Sequence, residues 1–544
     1  MSSIDIHPLI ALSNQLHTGS AASGAGGVGE ANMSSTLQTR GDGGQDYEIS
    51  LLLFAVCLAC AIWYFFVTFL QAVGFAQLYH NYSSKPKPAT SPALQLEHVP
   101  HVTIIRPVKG LEPQLYECLA ATFHQTYPLQ KLTIYFCVAS TRDPAFPVLK
   151  RLLANFPHFG AKIFIEEEDP KLSGHGGERL NLGPNPKIRN MSRAYREVKG
   201  DLVWVLDSNV WVGKGVAGRM VDKLCGYQED GKRGRPYKFV HQLPLVVDNV
   251  GASGGGREEA RILQGQGEKS LNKTSRAHGG RFEEMFMATS HAKFYTAINT
   301  IAVAPCIVGK SNMFRRSHLD DLTSCSPIFA PGIDYFSENI CEDHLIGDLI
   351  WRKQVQDEIA GQKFHKHGLV FGDLAIQPMA GIPVREYIAR RVRWLRVRKW
   401  TVTLATFVEP GVEPLLCSAY GAFAVTTLPY FAGIPHTWTS FWVIWLASVL
   451  AWMSVDYLVY ARLHSCISVE LDENTPSFAM PPKKGRRRSF GEWVFAWLGR
   501  EVLALPIWLW ACYGGTTVLW RGKAFRVGLD MRVKEIKMEE RRKN

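Results

Sequence analysis

An almost uninterrupted apolar run lies near the start of the chain. It extends from Ile49 to about Gly74 and contains no charged side chain. Its length is close to the roughly 20 residues that a helix needs to cross the hydrocarbon core of a bilayer. The pattern predicts a transmembrane anchor over residues 49–74, preceded by a Gly- and Ser-rich disordered tail over residues 1–46.

Apolar runs return in the last quarter of the chain. Pro414–Ile434 and Thr437–Tyr460 are separated by a proline-containing turn, and Val502–Trp520 follows a basic stretch. The first two runs predict a transmembrane hairpin over residues 413–460. Because positive charge flanks the last run on both sides, it predicts either a full crossing or a re-entrant segment over residues 493–520.

Between these runs, residues 95–400 have the alternating pattern of a soluble domain. Short runs rich in β-branched and aromatic residues predict buried strands, and the stretches between them have apolar residues at helical spacing. The strand-like runs are His101–Ile105, Leu132–Ala139, Lys162–Glu166 and Leu202–Leu206. Strands that alternate with helices predict an α/β sheet. Residues 249–280 are rich in glycine instead and predict a flexible insertion, with a lid that the substrate orders as the alternative.

Positive charge is clustered beside the apolar runs. The net charge of +12 is concentrated in Arg390–Lys399, Lys483–Arg488 and Arg521–Lys543. This placement favours anionic lipid headgroups or the phosphates of a small substrate, and no motif that reads nucleic acid accompanies it. The clusters predict an interfacial helix over residues 385–400, a basic cytosolic loop over 461–492 and a basic tail over 521–544.

The charges around the first run also predict an orientation. Acidic residues precede this run, whereas Lys85 and Lys87 follow it. The positive-inside rule therefore places the soluble domain in the cytosol and the tail in the lumen of an internal membrane. The 11 cysteines show neither a disulfide framework nor zinc-ligand spacing, which indicates a reducing compartment.

The strand-like sequence DLVWVLDSNVWV runs into the carboxylate of Asp207. Ligands bind at the carboxyl ends of parallel strands, and a carboxylate there holds a divalent cation that neutralises a departing nucleotide diphosphate. The alternative is that Asp207 only stabilises a turn, as Asp-Ser-Asn sequences often do.

Each of two later motifs has both a chemical and a structural interpretation. In CEDHLIGDLI, Asp343 is a candidate base for an acceptor hydroxyl, or Glu342 and Asp343 simply favour the start of a helix. In RRVRW, Arg390 and Arg393 are candidates to bind a diphosphate while Trp394 stacks on the sugar or the acceptor. The alternative for RRVRW is a basic helix that lies in the membrane interface.

Taken in order, these motifs resemble the membrane-bound inverting glycosyltransferases of family-A fold, and within them the ceramide glucosyltransferase family. The matching pieces are RPVKGLEP, TRDPA, NPKIRNM, DSNV, VHQLP, TSHAKFY, VGKSNMFRR, CEDH and RRVRW. They recur in the family's order over most of residues 100–400. The resemblance implies a GT-A (nucleotide-diphospho-sugar transferase) domain that transfers glucose from UDP-glucose to the primary hydroxyl of ceramide with inversion.

The resemblance also implies roles for single residues. Asp143 would lie near the uridine, and Asp207 near the metal and the diphosphate. Asp343 would be the base, and Lys187 a phosphate partner. His291, in TSHAKFY, matches a histidine that is important for activity in the family. On residue type alone, His291 fits a structural histidine and Lys187 a solvated surface lysine equally well.

The implied cofactor is a divalent cation, Mg²⁺ or Mn²⁺. Asn209 stands where the wider superfamily has a second carboxylate. Its amide oxygen ligates a metal without contributing charge, so Asp207, the UDP phosphates and water would hold the cation. The implied location is the Golgi or endoplasmic reticulum membrane. The alternatives are a polysaccharide synthase, a polyprenyl-phosphate glycosyltransferase and a non-catalytic lipid-binding protein with the same fold.

Overall fold

Residues 36–40, 46–173, 180–249, 278–431 and 433–536 are described by the structure, a computed structural model. Most of the predicted tail (1–46), most of the predicted insertion (249–280) and the end of the predicted basic tail lie outside the described residues. The chain divides into two units, Met1–Val56 and Cys57–Asn544. In the first unit, β1 (Thr36–Arg40) pairs antiparallel with β2 (Asp46–Ser50). Helix α1 (Leu51–Asn81) follows.

A seven-stranded mixed sheet is the centre of the second unit. Its strands are β3 (Val102–Pro107), β4 (Leu132–Val138), β5 (Gly160–Ile165), β6 (Leu202–Leu206), β7 (Tyr237–Asp248), β8 (Ser311–Arg315) and β9 (His365–Met379). Their order is β5-β4-β3-β6-β8-β7-β9, with β8 antiparallel to both of its neighbours and the other pairs parallel. The predicted α/β class is confirmed.

Helices cover both faces of this sheet. They are α2 (Leu115–Ala120), α3 (Phe146–Asn155), α4 (Pro170–Ser173), α5 (Pro186–Arg196), α6 (Val216–Cys225), α7 (Gly279–Ala288), α8 (Ser290–Ile301), α9 (Arg316–Thr323), α10 (Glu342–Arg352), α11 (Gln356–Ile359) and α12 (Val384–Arg398). Ile104 and Trp204 enter the core that includes α2, α3 and α6, whereas Ile105 and Val203 enter the core with α5 and α10. Neighbouring residues separate in this way because successive side chains of a strand point to opposite faces.

Two short helices, α13 (Thr403–Val408) and α14 (Pro414–Thr427), lead to α15 (Trp438–His464) and α16 (Phe490–Tyr513). Within the described ranges, α1, α15 and α16 are long and apolar enough to cross a membrane. The two helices of the predicted hairpin (413–460) differ in length, because α14 has only 14 residues and α15 is longer. At 1.5 Å per residue α14 spans about 21 Å, which is short of the roughly 30 Å hydrocarbon core.

The end of the chain differs from its prediction. The predicted membrane segment (493–520) is a helix that ends earlier, at Tyr513, and the predicted basic tail (521–544) is a sheet as far as it is described. An antiparallel sheet is formed by β10 (Thr517–Trp520), β11 (Lys523–Val527) and β12 (Val533–Glu535). Its buried side chains pack against Ile340, Val397 and Trp400. Basic residues at the exposed positions concealed this short alternating pattern.

Buried polar contacts join α8 to the long apolar helices. Lys293 on α8 forms an ion pair with Asp456 on α15 at 2.5 Å, and Nε1 of Trp497 on α16 donates to the same carboxylate at 2.8 Å. Gly74 of α1 lies so close to α8 that an added Cβ would be 2.2 Å from the carbonyl oxygen of Lys293. Because α8 also carries His291, these long apolar helices position part of the site described next.

Candidate active site

A cavity of about 1460 Å³ lies where the carboxyl ends of β3 and β6 approach α8, α10 and α12. Most of the predicted site residues line it, although they are distant in sequence. Those on its wall are Lys187, Asp207, His291, Asp343, Arg390, Arg393 and Trp394. The fold therefore brings the predicted motifs to one place.

Asp207 directly follows β6 and faces two ammonium groups. The Nζ atom of Lys187 lies 3.2 Å from its carboxylate, and the Nζ atom of Lys310 lies 3.1 Å away. Burial opposes ionisation of Asp207, but the two lysines outweigh it and lower the carboxyl pKa to about 2. Asp207 is therefore a fixed negative charge at neutral pH.

Lys187 is held at the start of α5. The side chain of Asn185 caps this helix by accepting hydrogen bonds from the backbone nitrogens of Lys187 and Ile188. The buried Lys187 ammonium also pairs with Glu342 at 3.1 Å. It thus connects the carboxylate at the end of β6 with the first turn of α10.

Asp343 lines the cavity together with Asp207 and Glu342, and it is less buried than Glu342. Glu342 is buried and engaged by Lys187 and by Nδ2 of Asn185 at 3.1 Å. Asp343 has no ion pair among the described residues. Burial raises its carboxyl pKa above the ordinary value of 3.8. A Cβ on Gly309 would lie 2.5 Å from its Oδ2, so the glycine makes room for this carboxylate.

Helix α12 brings the RRVRW motif to the opposite wall. Arg390 pairs with Glu283 at 2.9 Å, and its guanidinium lies 5.0 Å from the ring centre of Trp394. Arg393 has no ion pair within the described ranges. Burial and the nearby Arg390 lower the pKa of Arg393 to about 10. Arg393 is still cationic at neutral pH and is available to an anion in the cavity.

His291 stands in the same wall, on α8. Its ring stacks on Tyr295 with centroids 5.2 Å apart and also contacts Phe286. Burial, together with the charges of Arg391 and Arg398, lowers the imidazole pKa to about 3. Its buried Nδ1 has no hydrogen-bond partner in the described part of the chain. The ring is therefore neutral and retains an unused polar atom beside the cavity.

Asp143 differs from the other predicted residues because it is not on the cavity wall among the described residues. Its carboxylate accepts hydrogen bonds from the backbone nitrogens of Gly110 and Ala145, each at 2.9 Å. Gly110 lines the cavity, so Asp143 shapes the loop that follows β3. Its predicted place near a uridine stays a prediction.

A divalent cation has two oxygen ligands available at Asp207 and Asn209. Both side chains accept a hydrogen bond from Lys310, at 3.1 and 3.2 Å, so they face a common point. No group of three or more His, Cys, Asp or Glu residues suited to a metal occurs within the described ranges. The residues fit an ion such as Mg²⁺, which commonly takes few protein ligands and completes its shell with substrate phosphates and water.

Other charged residues of the site were not predicted from the sequence. Lys310 contacts Asp207 because β8 lies beside β6, a pairing that no local pattern revealed. The CEDH motif indicates a candidate carboxylate, but not the ion pair between Glu342 and Lys187. Arg521 reaches the cavity from the turn between β10 and β11, where a basic tail was predicted. The local signals at these points are two glycines, Gly309 in VGKSNMFRR, which lies close to Asp343, and Gly522 in WRGK, which has a positive φ.

Beyond these polar groups, the cavity continues to an apolar end. Trp63, Phe66, Val67 and Leu70 of α1 line it, opposite Phe294 of α8. The same cavity therefore presents charged groups at one end and side chains of a membrane-length helix at the other.

Comparison with known proteins gives consistent matches. A model described as glycosyl transferase family 21 matches residues 64–254 and 270–533. A protein from Pyricularia oryzae named ceramide glucosyltransferase is 53% identical over 501 residues, which cover 89% of this chain and 96% of that protein. A protein of the same name from Gibberella zeae is 47% identical over 516 residues, covering 90% and 96%.

Among solved structures, a mannosyltransferase from Pyrobaculum calidifontis in complex with GDP-Man and Mn²⁺ matches 76% of this chain and 97% of its own, with 15% identity and a TM-score of 0.36. Glucosyl-3-phosphoglycerate synthase from Mycobacterium tuberculosis in complex with Mg²⁺ and UDP matches 57% of this chain and 83% of its own, with 15% identity and a TM-score of 0.28.

Proposed function

This chain belongs to glycosyl transferase family 21, and on that premise we propose that it transfers glucose from UDP-glucose to the primary hydroxyl of ceramide with inversion, forming glucosylceramide. The curated relatives named ceramide glucosyltransferase, which match nearly the whole chain, support this proposal. The structural observation that carries it is the cavity with one charged end and one apolar end.

The charged end suits a nucleotide sugar. UDP-glucose carries two phosphates, and Lys187, Lys310, Arg390 and Arg393 present cationic groups to this part of the cavity. Charge-assisted hydrogen bonds to phosphate are about twice as strong as neutral ones. Arg393 is our candidate for the diphosphate because it has no carboxylate partner within the described ranges. Asp143 is proposed to lie near the uridine, through the loop that it holds.

The apolar end suits the two hydrocarbon chains of ceramide. Trp63, Phe66 and Leu70 belong to α1, a helix long and apolar enough to cross a membrane. An acceptor that is insoluble in water would reach the cavity laterally from the bilayer, with its headgroup towards Asp343. The neutral His291 and Trp394 also line the cavity, where they would orient the sugar and the acceptor headgroup.

The reaction is a single displacement. The primary hydroxyl oxygen of ceramide forms a bond to C1 of glucose, and its proton passes to the Asp343 carboxylate. The bond from C1 to the diphosphate oxygen breaks with its electron pair, which leaves with UDP beside Arg393. Binding both substrates in one cavity replaces a bimolecular encounter, an effect worth roughly 7–11 kcal/mol in well-oriented reactions.

A divalent cation would be held by Asp207, Asn209 and the phosphates of the donor. When bound, it would supply charge neutralisation to the departing UDP. Because Lys310 already contacts both oxygen ligands, its ammonium would have to move towards the phosphates. The chain's own cations therefore share the neutralisation of the leaving group.

The location of the protein is part of the proposal. Helices α1, α15 and α16 are long and apolar enough to cross a membrane, and the basic residues that follow α1 support a cytosolic catalytic domain. We propose a multi-pass protein of the Golgi or endoplasmic reticulum membrane, where a cytosolic site has access to UDP-glucose and to ceramide in the bilayer.

The test is transfer of radiolabelled glucose from UDP-glucose to short-chain ceramide by the purified full-length protein. We expect a single-sugar lipid that partitions into organic solvent. Asp343→Asn should lower kcat by about 100-fold or more, as expected when a general base is removed. Asp348→Asn is the matched control, because Asp348 lies on the same helix and pairs with Arg352 instead of lining the cavity.

The outcomes separate the alternatives. A folded wild-type protein that binds UDP but labels a polymer or a polyprenyl phosphate would replace ceramide as the acceptor. Binding of UDP-glucose without transfer to any acceptor would favour a non-catalytic lipid-binding protein. Full activity of Asp343→Asn would leave the activity in place and remove Asp343 as the base.

A further inference from the structure

The turn between β10 and β11 projects into the cavity. Arg521 and Gly522 form this turn, both with positive φ, at 48° and 82°, and both line the cavity wall. A residue other than glycine is uncommon in this left-handed region, and its conformation costs of order 1 kcal/mol. Arg521 is thus held in a costly conformation where glycine would fit better.

The backbone of the turn is anchored independently of the Arg521 side chain. The Lys109 ammonium, on the loop after β3, donates a hydrogen bond to the carbonyl oxygen of Arg521. Arg396 of α12 donates to the carbonyl oxygen of Thr517 at 2.7 Å. The backbone nitrogen of Val533 donates to the carbonyl oxygen of Glu338 at 2.8 Å. These contacts attach the C-terminal sheet to the loop after β3, to the RRVRW helix and to the segment before Asp343.

The guanidinium of Arg521 has no ion pair within the described ranges, although the charges of four carboxylates act on it. These are Asp207, Glu342, Glu112 and Asp143. Glu342 is already engaged by Lys187, and Asp207 by Lys187 and Lys310. A cation that is partly removed from water and has no bonded anion is costly. It provides strong donors for an anion that enters the cavity.

We propose that Arg521 binds the sugar-bearing phosphate of the nucleotide sugar and stabilises the departing diphosphate. This inference rests on the proposed function, because it assigns a contact to the same donor. When the bond from C1 of glucose to the phosphate oxygen breaks, the electron pair stays on that oxygen and the guanidinium of Arg521 donates to it. The proton of the acceptor hydroxyl goes to Asp343, as described above.

The placement of Arg521 distinguishes it from Arg393. Arg393 comes from α12 and shares its wall with Arg390, whereas Arg521 comes from the C-terminal hairpin and lies near Asp207 and Glu342. The two arginines therefore approach the same cavity from different elements. A planar guanidinium offers paired donors that match two phosphate oxygens, and a lysine at this position would supply charge without that geometry.

The experiment compares nucleotide binding and glucose transfer in full-length wild type, Arg521→Gln and Arg521→Gly. The glycine variant suits the left-handed backbone, so it should fold even if the glutamine variant does not. Arg526→Gln is the matched control, since Arg526 is exposed on the same hairpin and does not line the cavity. Competition against UDP-glucose measures the affinity for UDP, which has the second phosphate, and for UMP, which lacks it.

We expect both Arg521 variants to bind UDP roughly 10- to 100-fold more weakly, the usual effect of losing a hydrogen bond to a charged group. Their affinity for UMP should stay at the wild-type value, so the preference for UDP over UMP should collapse. Glucose transfer should fall with it, Arg521→Lys should recover part of the loss, and Arg526→Gln should match wild type.

An unchanged preference for UDP in folded Arg521→Gly would overturn the inference and leave the proposed function standing. An equal loss of UMP and UDP affinity would also overturn it, because it would indicate a structural role. If wild type makes no glucosylceramide while the Arg521 variants lose the UDP preference, the phosphate contact holds and the acceptor assignment fails.

Discussion

At the scale of single residues, Asp343 has two relevant properties. Its carboxylate lines the cavity, and burial raises its pKa above 3.8. Only the ionised carboxylate accepts a proton, so activity is present above this pKa and is lost as the pH falls through it. We expect kcat/KM for ceramide to show an acidic limb at a higher pH than a free aspartate would give. A pH profile of glucose transfer measures this limb.

The residual activity of Asp343→Asn provides the control for this prediction. Without the carboxylate, the limb should disappear and the remaining rate should vary little with pH over the same range. A limb that persists unchanged in Asp343→Asn would mean that another group, such as Glu342, produces it.

Asn209 offers a second residue-scale prediction. Its amide oxygen faces the same point as Asp207 but carries no charge. Asn209→Asp would restore a charged ligand, so we expect the Mn²⁺ concentration for half-maximal transfer to fall by roughly 10-fold, the size of one added charge-assisted contact. A titration after removal of metal with a chelator measures it. Unchanged Mn²⁺ dependence in the folded variant would place the cation elsewhere.

Most of the site residues that the motifs predicted do line the cavity, because Asp207, Asp343 and Arg393 each lie in a short recognisable pattern. Their partners were not predictable in this way. Lys310 contacts Asp207 only through the pairing of β8 with β6, and Arg521 arrives from the last sheet. Such contacts depend on how distant segments pack in the folded chain. The spacing of residues along the sequence does not reveal them.

At the scale of elements, the ion pair between Lys293 and Asp456 joins α8 to α15, and both side chains are fully buried. Removing one partner leaves an uncompensated charge, which typically costs about 3–5 kcal/mol. We expect Asp456→Leu to lower the thermal unfolding temperature in detergent strongly. The double variant Lys293→Met with Asp456→Leu should recover much of the loss, since it removes both charges.

The comparison of single and double variants is decisive for this link. If the double variant is no more stable than Asp456→Leu, the ion pair is not what the single change disrupts, and the hydrogen bond from Trp497 to Asp456 becomes the explanation. Because α8 carries His291, activity should follow stability through the same set of variants.

Elements were predicted well where burial dominates the pattern and poorly where it does not. The central parallel strands are continuous apolar runs, so β3, β4 and β6 appear close to their predicted bounds. The C-terminal sheet has short strands that bury one face only, and its lysines and arginines gave it the composition of a tail. Helix α14 lies in a long apolar run, but its short length depends on the turn that ends it.

At the scale of the whole molecule, the proposed orientation makes a prediction about glycosylation. Asn32, Asn81, Asn190 and Asn272 all begin acceptor sequences. We expect a glycan on Asn32 alone, because Asn32 is the one of these four that lies in the segment before α1, which would be lumenal. Digestion with an endoglycosidase and substitution of each Asn by Gln measure this. A glycan on Asn81 or Asn272 would contradict a cytosolic catalytic domain.

The position of the C-terminal sheet in the sequence determines when the cavity is completed during synthesis. Its strands are synthesised after α1, α15 and α16, yet they contact the segment before Asp343 and place Arg521 in the cavity. Folding during synthesis proceeds from the N-terminus, so the α/β sheet can form while the site is still incomplete. The cavity is therefore complete only after the last helix and sheet have been synthesised, and a chain that ends before them would lack Arg521 at the proposed donor site.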